Sequence, residues 1–545
     1  MYHPVTSSQE TNISNESVTI IRKQLECTND VCRLKAEYRI LKAEAGYWKI
    51  MHHKAVVREQ VLKQKNEELE AKLRLRERQL FGRKTEKKAQ GDKTLNTPNE
   101  QKKRPRGQQK GAKGHGRKCH DELPAKEEVV DLPEGEKQCP CCGLPLTPFP
   151  GTEDSEIIEI NVRAYRRIIK RKRYTPKCRC TLPGIITAPP PKRLIPKGKL
   201  GISVWVNVLL DKFLYYRPTY RLLAELESLG LSLSQGTVTG GLKYIKSLFE
   251  PIKTAIVDKN RTENRWHADE TRWQVFEEVE GKVGYRWWLW VFISSSTVVY
   301  ILDPSRSAEV PKKHFKGIKN GILSVDRYSA YKVLLKDGRI LLAFCWAHVR
   351  RDFLSVAKDW PTHEAWAMTW VSGIAELYRL NKNRLDVQKH QEEYPKANKL
   401  LKAKIEEMEK TADEQHKMDI HPACNKVLKS LKEHWKGLTL FVEHPEVPMD
   451  NNISERKLRG PAMGRKNYYG AGKKWSGLLA VNMFTIFQTV LLWNLNPRTW
   501  LNAYLQACAD NNNQPPTNIN DFLPWKMSET QRHHFSKPPS WNDSS

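Results

Sequence analysis

A chain of 545 residues is too long for one ordinary core, so two to four domains are expected; 39% hydrophobic residues and 17 tryptophans exclude a wholly disordered protein. Lys and Arg outnumber Asp and Glu by 92 to 62, and the formal net charge of +30 calls for a polyanionic partner, nucleic acid ahead of an anionic membrane surface. The opening MYHPVTSSQETN lacks the basic-then-apolar pattern of a secretory signal, and 11 unevenly clustered cysteines argue against a disulfide scaffold, so a cytoplasmic protein is expected.

Residues 18–81 read as one polar helix with Gly46 as its internal glycine. Within it Leu62, Asn66, Leu69, Leu73 and Leu80 fall on heptad a and d positions, with Arg76 interrupting the seam. A polar Asn in such a seam suits a short coiled coil and helps fix its register, so the region is a candidate dimerisation element; a helix packed on its own protein is the alternative. Residues 82–124, which open with GRKTEKKAQGDKTLNTPNEQKKRPRGQQKGAKGHGRK, are nearly free of apolar side chains. They read as a disordered basic linker able to meet phosphates without sequence preference.

Residues 125–187 read as a small β-rich unit, with the strand-like IIEINV and AYRRIIKRKRY between two cysteine groups. Cys139 and Cys142 have knuckle spacing, with Cys141 a bystander, and Cys178 and Cys180 lie downstream. The four predict a structural Zn²⁺ that cross-links two hairpin tips in a zinc-ribbon-like domain. Cys178-Arg-Cys180 is one residue tighter than a usual knuckle, which leaves tetrahedral closure open. Residues 198–255 are helical: YRLLAELESLGLSLSQGTVTGGLKYI gives a helix, a turn at Gly230 and a second helix capped by Ser234. That is the pattern of a helix-turn-helix, whose second helix can enter a major groove, and equally that of a plain helical hairpin.

Strands dominate residues 262–348. RWHADETRWQVF, GYRWWLWVFIS and TVVYILD are three successive strands; a helical piece near Ser307–Phe315, the apolar strand GILSVD and the strand RILLAFCWAH come next. Residues 349–445 form a charged helical insertion, residues 446–508 hold MDNNISERKLRG and an apolar helix, and residues 509–545 are a tail. The run Ser476–Leu495 is nearly long enough to span a bilayer, but Asn482, Thr485, Gln488 and Asn494 interrupt it, so a buried helix is expected.

Three acids stand out by position. Asp269 lies on the first strand of this series, Asp326 ends the fourth, and Glu455 opens a helix with Asp450 or Asn451 as its cap. Three meandering strands, a helix, a further strand and a late helical acid match the order of an RNase H-like mixed sheet. There the first two acids sit on adjacent central strands and a helix delivers the third. Carboxylates so gathered make physical sense as a site for two Mg²⁺ (or Mn²⁺) ions roughly 3.5–4 Å apart, which activate a water or a 3′-hydroxyl and stabilise the leaving oxygen. Asp303, before Pro304, reads as a turn residue, and Glu270 should point to the opposite face from Asp269. Arg456, Lys457, Arg459, Arg465 and Lys466, close to Glu455, are candidate contacts to DNA phosphates. Cys345 and His348 of CWAH look like a ligand pair, yet lack a second pair and read rather as packing or hydrogen bonding near the acids.

HADETRW, DRYSAY, CWAHVRRDF and NNISERKLRGPAMGRKNYYGAG occur in that order, with FGRKTEKK before the basic linker and CPCCG ahead of a further Cys pair. Together they resemble the insertion sequence 66 family of bacterial transposases, over about residues 60–508. The resemblance implies an acidic triad at Asp269, Asp326 and Glu455, the residues reached from topology, and a helical insertion before the third acid. It also implies cut-and-join chemistry on double-stranded DNA, at an element's terminal inverted repeats and at a target. An oligomer that joins two ends and accessory proteins encoded beside the transposase are further implications. The competing readings are a non-catalytic DNA-binding protein derived from a transposase, and an RNase H-like nuclease without strand transfer. The whole is read as a multidomain α/β chain.

Overall fold

The computed structural model describes residues 30–81, 131, 133, 134, 137, 141, 144, 145, 162–174, 185–280 and 283–539. Cys139, Cys142, Cys178 and Cys180 and the linker 82–124 lie outside the described residues. The chain divides into two compact units, one of residues 1–77 with 163–545, the other of residues 78–162. In the smaller unit Lys137 Nζ reaches Asp131 at 2.8 Å and Glu134 at 2.7 Å, and Cys141 is exposed.

Helix α1 (Asp30–Phe81) is continuous. Its described seam leucines Leu62, Leu69 and Leu73 are exposed, whereas Ala71 is buried and Arg74 Nε donates to the Asp359 carbonyl at 2.8 Å. One face of the helix therefore docks on its own unit and the leucine seam does not. Of AYRRIIKRKRY, β1 (Arg173–Tyr174) alone forms a ladder, with β2 (Ile186–Thr187). The preceding residues of that run have no ladder partner among the described residues and are not regular strand.

Helices α2 (Ile202–Phe213), α3 (Thr219–Ser228), α4 (Gln235–Ile245) and α5 (Glu250–Arg261) come next. Gly230 makes the α3–α4 turn at φ +82°, and Ser234 Oγ accepts the Thr237 N–H at 3.1 Å, capping α4 as its sequence requires. A Cβ at Gly241 would lie 1.8 Å from the Trp205 ring, so a residue without one is needed for α4 to lie this close to α2.

The central sheet comprises β3 (Arg265–Gln274), β4 (Arg286–Ile293), β5 (Val298–Asp303), β6 (Gly321–Val325) and β7 (Ile340–Phe344), in the order β5-β4-β3-β6-β7. The first three form an antiparallel meander; β6 runs parallel to β3, and β7 parallel to β6. Helix α6 (Glu309–His314) precedes β6, and α7 (Ser329–Lys332) comes after it. The near-continuous burial of RWWLWVFI in β4 marks a sheet covered on both faces.

The helical insertion comprises α8 (Trp346–Asp359), α9 (Glu364–Asp386), α10 (Glu393–Lys417), α11 (Pro422–Glu433) and α12 (Trp435–Leu438). After it come α13 (Asn452–Tyr468), α14 (Lys474–Leu492), α15 (Pro497–Asp510) and α16 (Glu529–Ser536). Helix α14 is long and apolar enough to cross a membrane by length and composition, yet it is mostly buried and lies along the edge strand β5. The backbone N–H groups of Tyr300 and Val298 donate to Thr485 Oγ1 at 3.0 Å and Thr489 Oγ1 at 3.1 Å. The polar residues in the apolar run thus satisfy an edge that would otherwise leave buried donors unpaired. Residues 509–539, expected to be a tail, instead bury Phe522, Leu523, Met527 and Phe535 in the main core.

Candidate active site

Strands β3 and β6 are parallel neighbours, paired from Arg265–Ile322 to His267–Ser324, so the register brings Asp269, within β3, level with Asp326, just past the end of β6. Asp326 comes immediately after β6, and its Oδ1 accepts the Tyr328 N–H at 2.9 Å, which fixes the turn that carries it. The neighbouring Arg327 donates to Ser430 Oγ at 2.9 Å and pairs with Asp352, tying this turn to α11 and α8.

Glu455 lies in the first turn of α13, and Asn451 anchors that turn. Buried Asn451 donates from Nδ2 to the Ala268 carbonyl at 2.7 Å, and its Oδ1 lies 3.0 Å from His267 Nδ1. Its backbone N–H donates to Cys345 Sγ at 3.2 Å, while Asp450 Oδ1 accepts the Asn452 N–H at 3.1 Å. Asn451 therefore holds the third acid against the strand that carries the first. From α8, Arg351 Nη2 reaches both oxygens of Glu455, at 2.9 and 3.2 Å, and His348 Nε2 lies 3.7 Å away. Cys345 and His348 thus serve as neighbours of the acids.

Burial, then the charge of Glu270, then those of Asp326 and Glu455, push the Asp269 carboxyl up to about 8, against the single opposing effect of the Glu270 N–H, which donates to Asp269 Oδ1 at 2.8 Å. The charges of Asp326 and Glu455 thus act on Asp269 although Glu455 is far away in sequence. Hard oxygen donors in mutual repulsion are what a divalent cation relieves. Glu270 lies on the buried face of β3, where Tyr331 donates its hydroxyl at 2.6 Å and Arg306 donates from Nε at 2.9 Å. Arg306 in turn stacks on Tyr328, 3.8 Å from its ring centre, and on Trp288. This clamp braces the loop beside Asp326.

The five candidate cations separate into two groups. Arg456, Arg459 and Lys466 are exposed on α13. Lys457 donates to Gln488 Oε1 at 2.9 Å, and Arg465 donates to Thr271 Oγ1 at 3.3 Å and to the Arg272 carbonyl, so both pack α13 onto its neighbours. Sequence reasoning does not single out Asn451, Arg351 or the Glu270–Arg306–Tyr331 clamp as parts of the site. Asn451 is visible there only as a helix cap, and Arg351 only as a basic residue three positions after His348.

The chain is 28% identical over 432 residues to the uncharacterized protein y4jD of Sinorhizobium fredii (strain NBRC 101917 / NGR234), covering 75% of this chain and 81% of that one. It is 25% identical over 433 residues to the uncharacterized protein y4hP of the same strain, covering 74% of this chain and 76% of the relative. No solved structure matches. Residues 197–478, which span the helices before the sheet, the sheet itself, the insertion and all three acids, match the profile described as Transposase IS66 family; the chain belongs to that family.

Proposed function

We propose that this chain is a DDE-type DNA transposase that binds the terminal inverted repeats of an insertion sequence and catalyses metal-dependent strand cleavage and strand transfer. The observation that carries the reading is the placement of Asp269 on β3 and Asp326 just past the parallel neighbour β6, with Glu455 in the first turn of α13, a helix that Asn451 ties to β3. The strand order, an antiparallel meander extended by two parallel strands, supports an RNase H-like core.

Asp269, Asp326 and Glu455 are the oxygen donors that would hold two Mg²⁺ or Mn²⁺ ions. Those ions supply activation of the attacking water or 3′-hydroxyl and stabilisation of the leaving oxygen. Asn451 fixes the height of Glu455 against β3, and Arg351 steers its carboxylate from α8. The exposed Arg456, Arg459 and Lys466 meet the phosphates of DNA lying across α13. The outer face of α4, with Gln235, Thr237, Thr239, Lys243 and Tyr244 exposed, is polar and slender enough for a major groove, as the second helix of a helix-turn-helix. The free leucine seam of α1 suits pairing with a second copy, which would bring two ends together.

Product analysis on a labelled duplex of the element's end, with Mg²⁺ and the full chain, tests this reading. The expected products are a nick with a free 3′-OH and a joined target strand. Nicking without joining, with and without the accessory proteins, would make the chain a nuclease instead.

A further inference from the structure

We propose that His363, His421 and Cys424 bind a zinc ion at the far end of α8 from the carboxylates, with water in the fourth position. One ligand atom from each residue lies within 4.8 Å of the other two. His363 closes the turn Pro361–His363 between α8 and α9, His421 caps α11, and Cys424 lies buried in the first turn of that helix. The rings of His363 and His421 stand 4.6 Å apart, and Trp360 packs 4.4 Å from His421 on its own account. Aromatic packing alone explains the stack, but it does not call for a thiol converging on the same point.

The donor chemistry selects the metal. Two imidazoles and one thiolate form a borderline-soft set that suits Zn²⁺ and not the hard Mg²⁺ expected at the carboxylates. Bonds of about 2.0–2.3 Å place tetrahedral ligands roughly 3.5 Å apart, so the trio closes by about 1 Å through side-chain rotation. The tautomers are compatible as well. His421 Nδ1 now accepts the Ala423 N–H in a 3.2 Å contact, and Nε2 lies 3.7 Å from Glu67 Oε2 of α1. Coordination through Nδ1 replaces that one backbone contact and leaves Nε2–H to donate to Glu67, the carboxylate–histidine–metal arrangement that orients a ligand ring. Cys424 joins as the thiolate and gives its proton to solvent. The ion would fasten α11 to the α8–α9 turn and, through Glu67, to α1.

The test is zinc content per chain of the purified full-length protein, compared with Cys424→Ser and His363→Gln. Both variants are expected to lose one equivalent relative to the parent, whatever the cysteines between 139 and 180 retain. His363 is half-buried, so its variant keeps the fold, checked by circular dichroism, if Cys424→Ser does not. Glu67→Gln should weaken zinc affinity about 10–100-fold in chelator competition. Equal zinc in the parent and His363→Gln overturns the site, as does a loss confined to Cys424→Ser.

Discussion

Asp269 shows how the site's charges are balanced. Its carboxyl titrates near 8 in the folded chain against an ordinary value of 3.8, so between those values the folded state holds more proton than the unfolded state. Its contribution to stability therefore falls as pH rises across that window and is flat above it. In metal-free protein Asp269→Asn should raise the melting temperature over the parent at pH 8 and leave it nearly unchanged at pH 4. An equal shift at both values would mean that neither the burial of this carboxylate nor its repulsion by Glu270 governs the effect. That Asp269 lies on a strand, Asp326 just past one and Glu455 in the first turn of a helix was legible from local sequence pattern. The partners that hold them were not. Asn451 touches Ala268 at a separation of 183 residues and Arg351 touches Glu455 at 104, and local pattern carries no information on such contacts.

At the scale of elements, the five strands of the sheet follow from apolar, aromatic and β-branched runs and the helical insertion from its charged pattern. Helix α14 is the element whose length and apolar run come nearest to a bilayer span, although Asn482, Thr485, Gln488 and Asn494 interrupt that run. Its threonines settle the matter: they serve the outer edge of β5. Thr485→Val removes the acceptor for the buried Tyr300 N–H and should cost about 1–3 kcal/mol in denaturant unfolding, whereas Thr485→Ser should restore most of it. An unchanged midpoint for Thr485→Val would show that the edge does not depend on α14. The last segment misleads for the opposite reason. NNNQPPTNINDFLPWKMSETQRHHF is sparse in apolar residues, yet Phe522, Leu523, Met527 and Phe535 suffice to anchor it to a core built from distant sequence.

For the whole molecule, the proposal of cation-assisted chemistry on DNA rests on family membership, the +30 charge and the placement of Asp269, Asp326 and Glu455. The architecture divides the work. On the proposed reading the sheet carries Asp269 and Asp326, α13 carries Glu455 and the exposed cations, and the insertion reaches Glu455 through Arg351. The most direct test of this account is cleavage of an element-end duplex by the parent chain and by Asp326→Asn, with Mg²⁺ or Mn²⁺ and with metal removed. Metal-dependent cleavage that falls by roughly 10⁴-fold or more in Asp326→Asn, with DNA binding retained, is the predicted result. Cleavage that persists in the variant, or that needs no divalent cation, would contradict it.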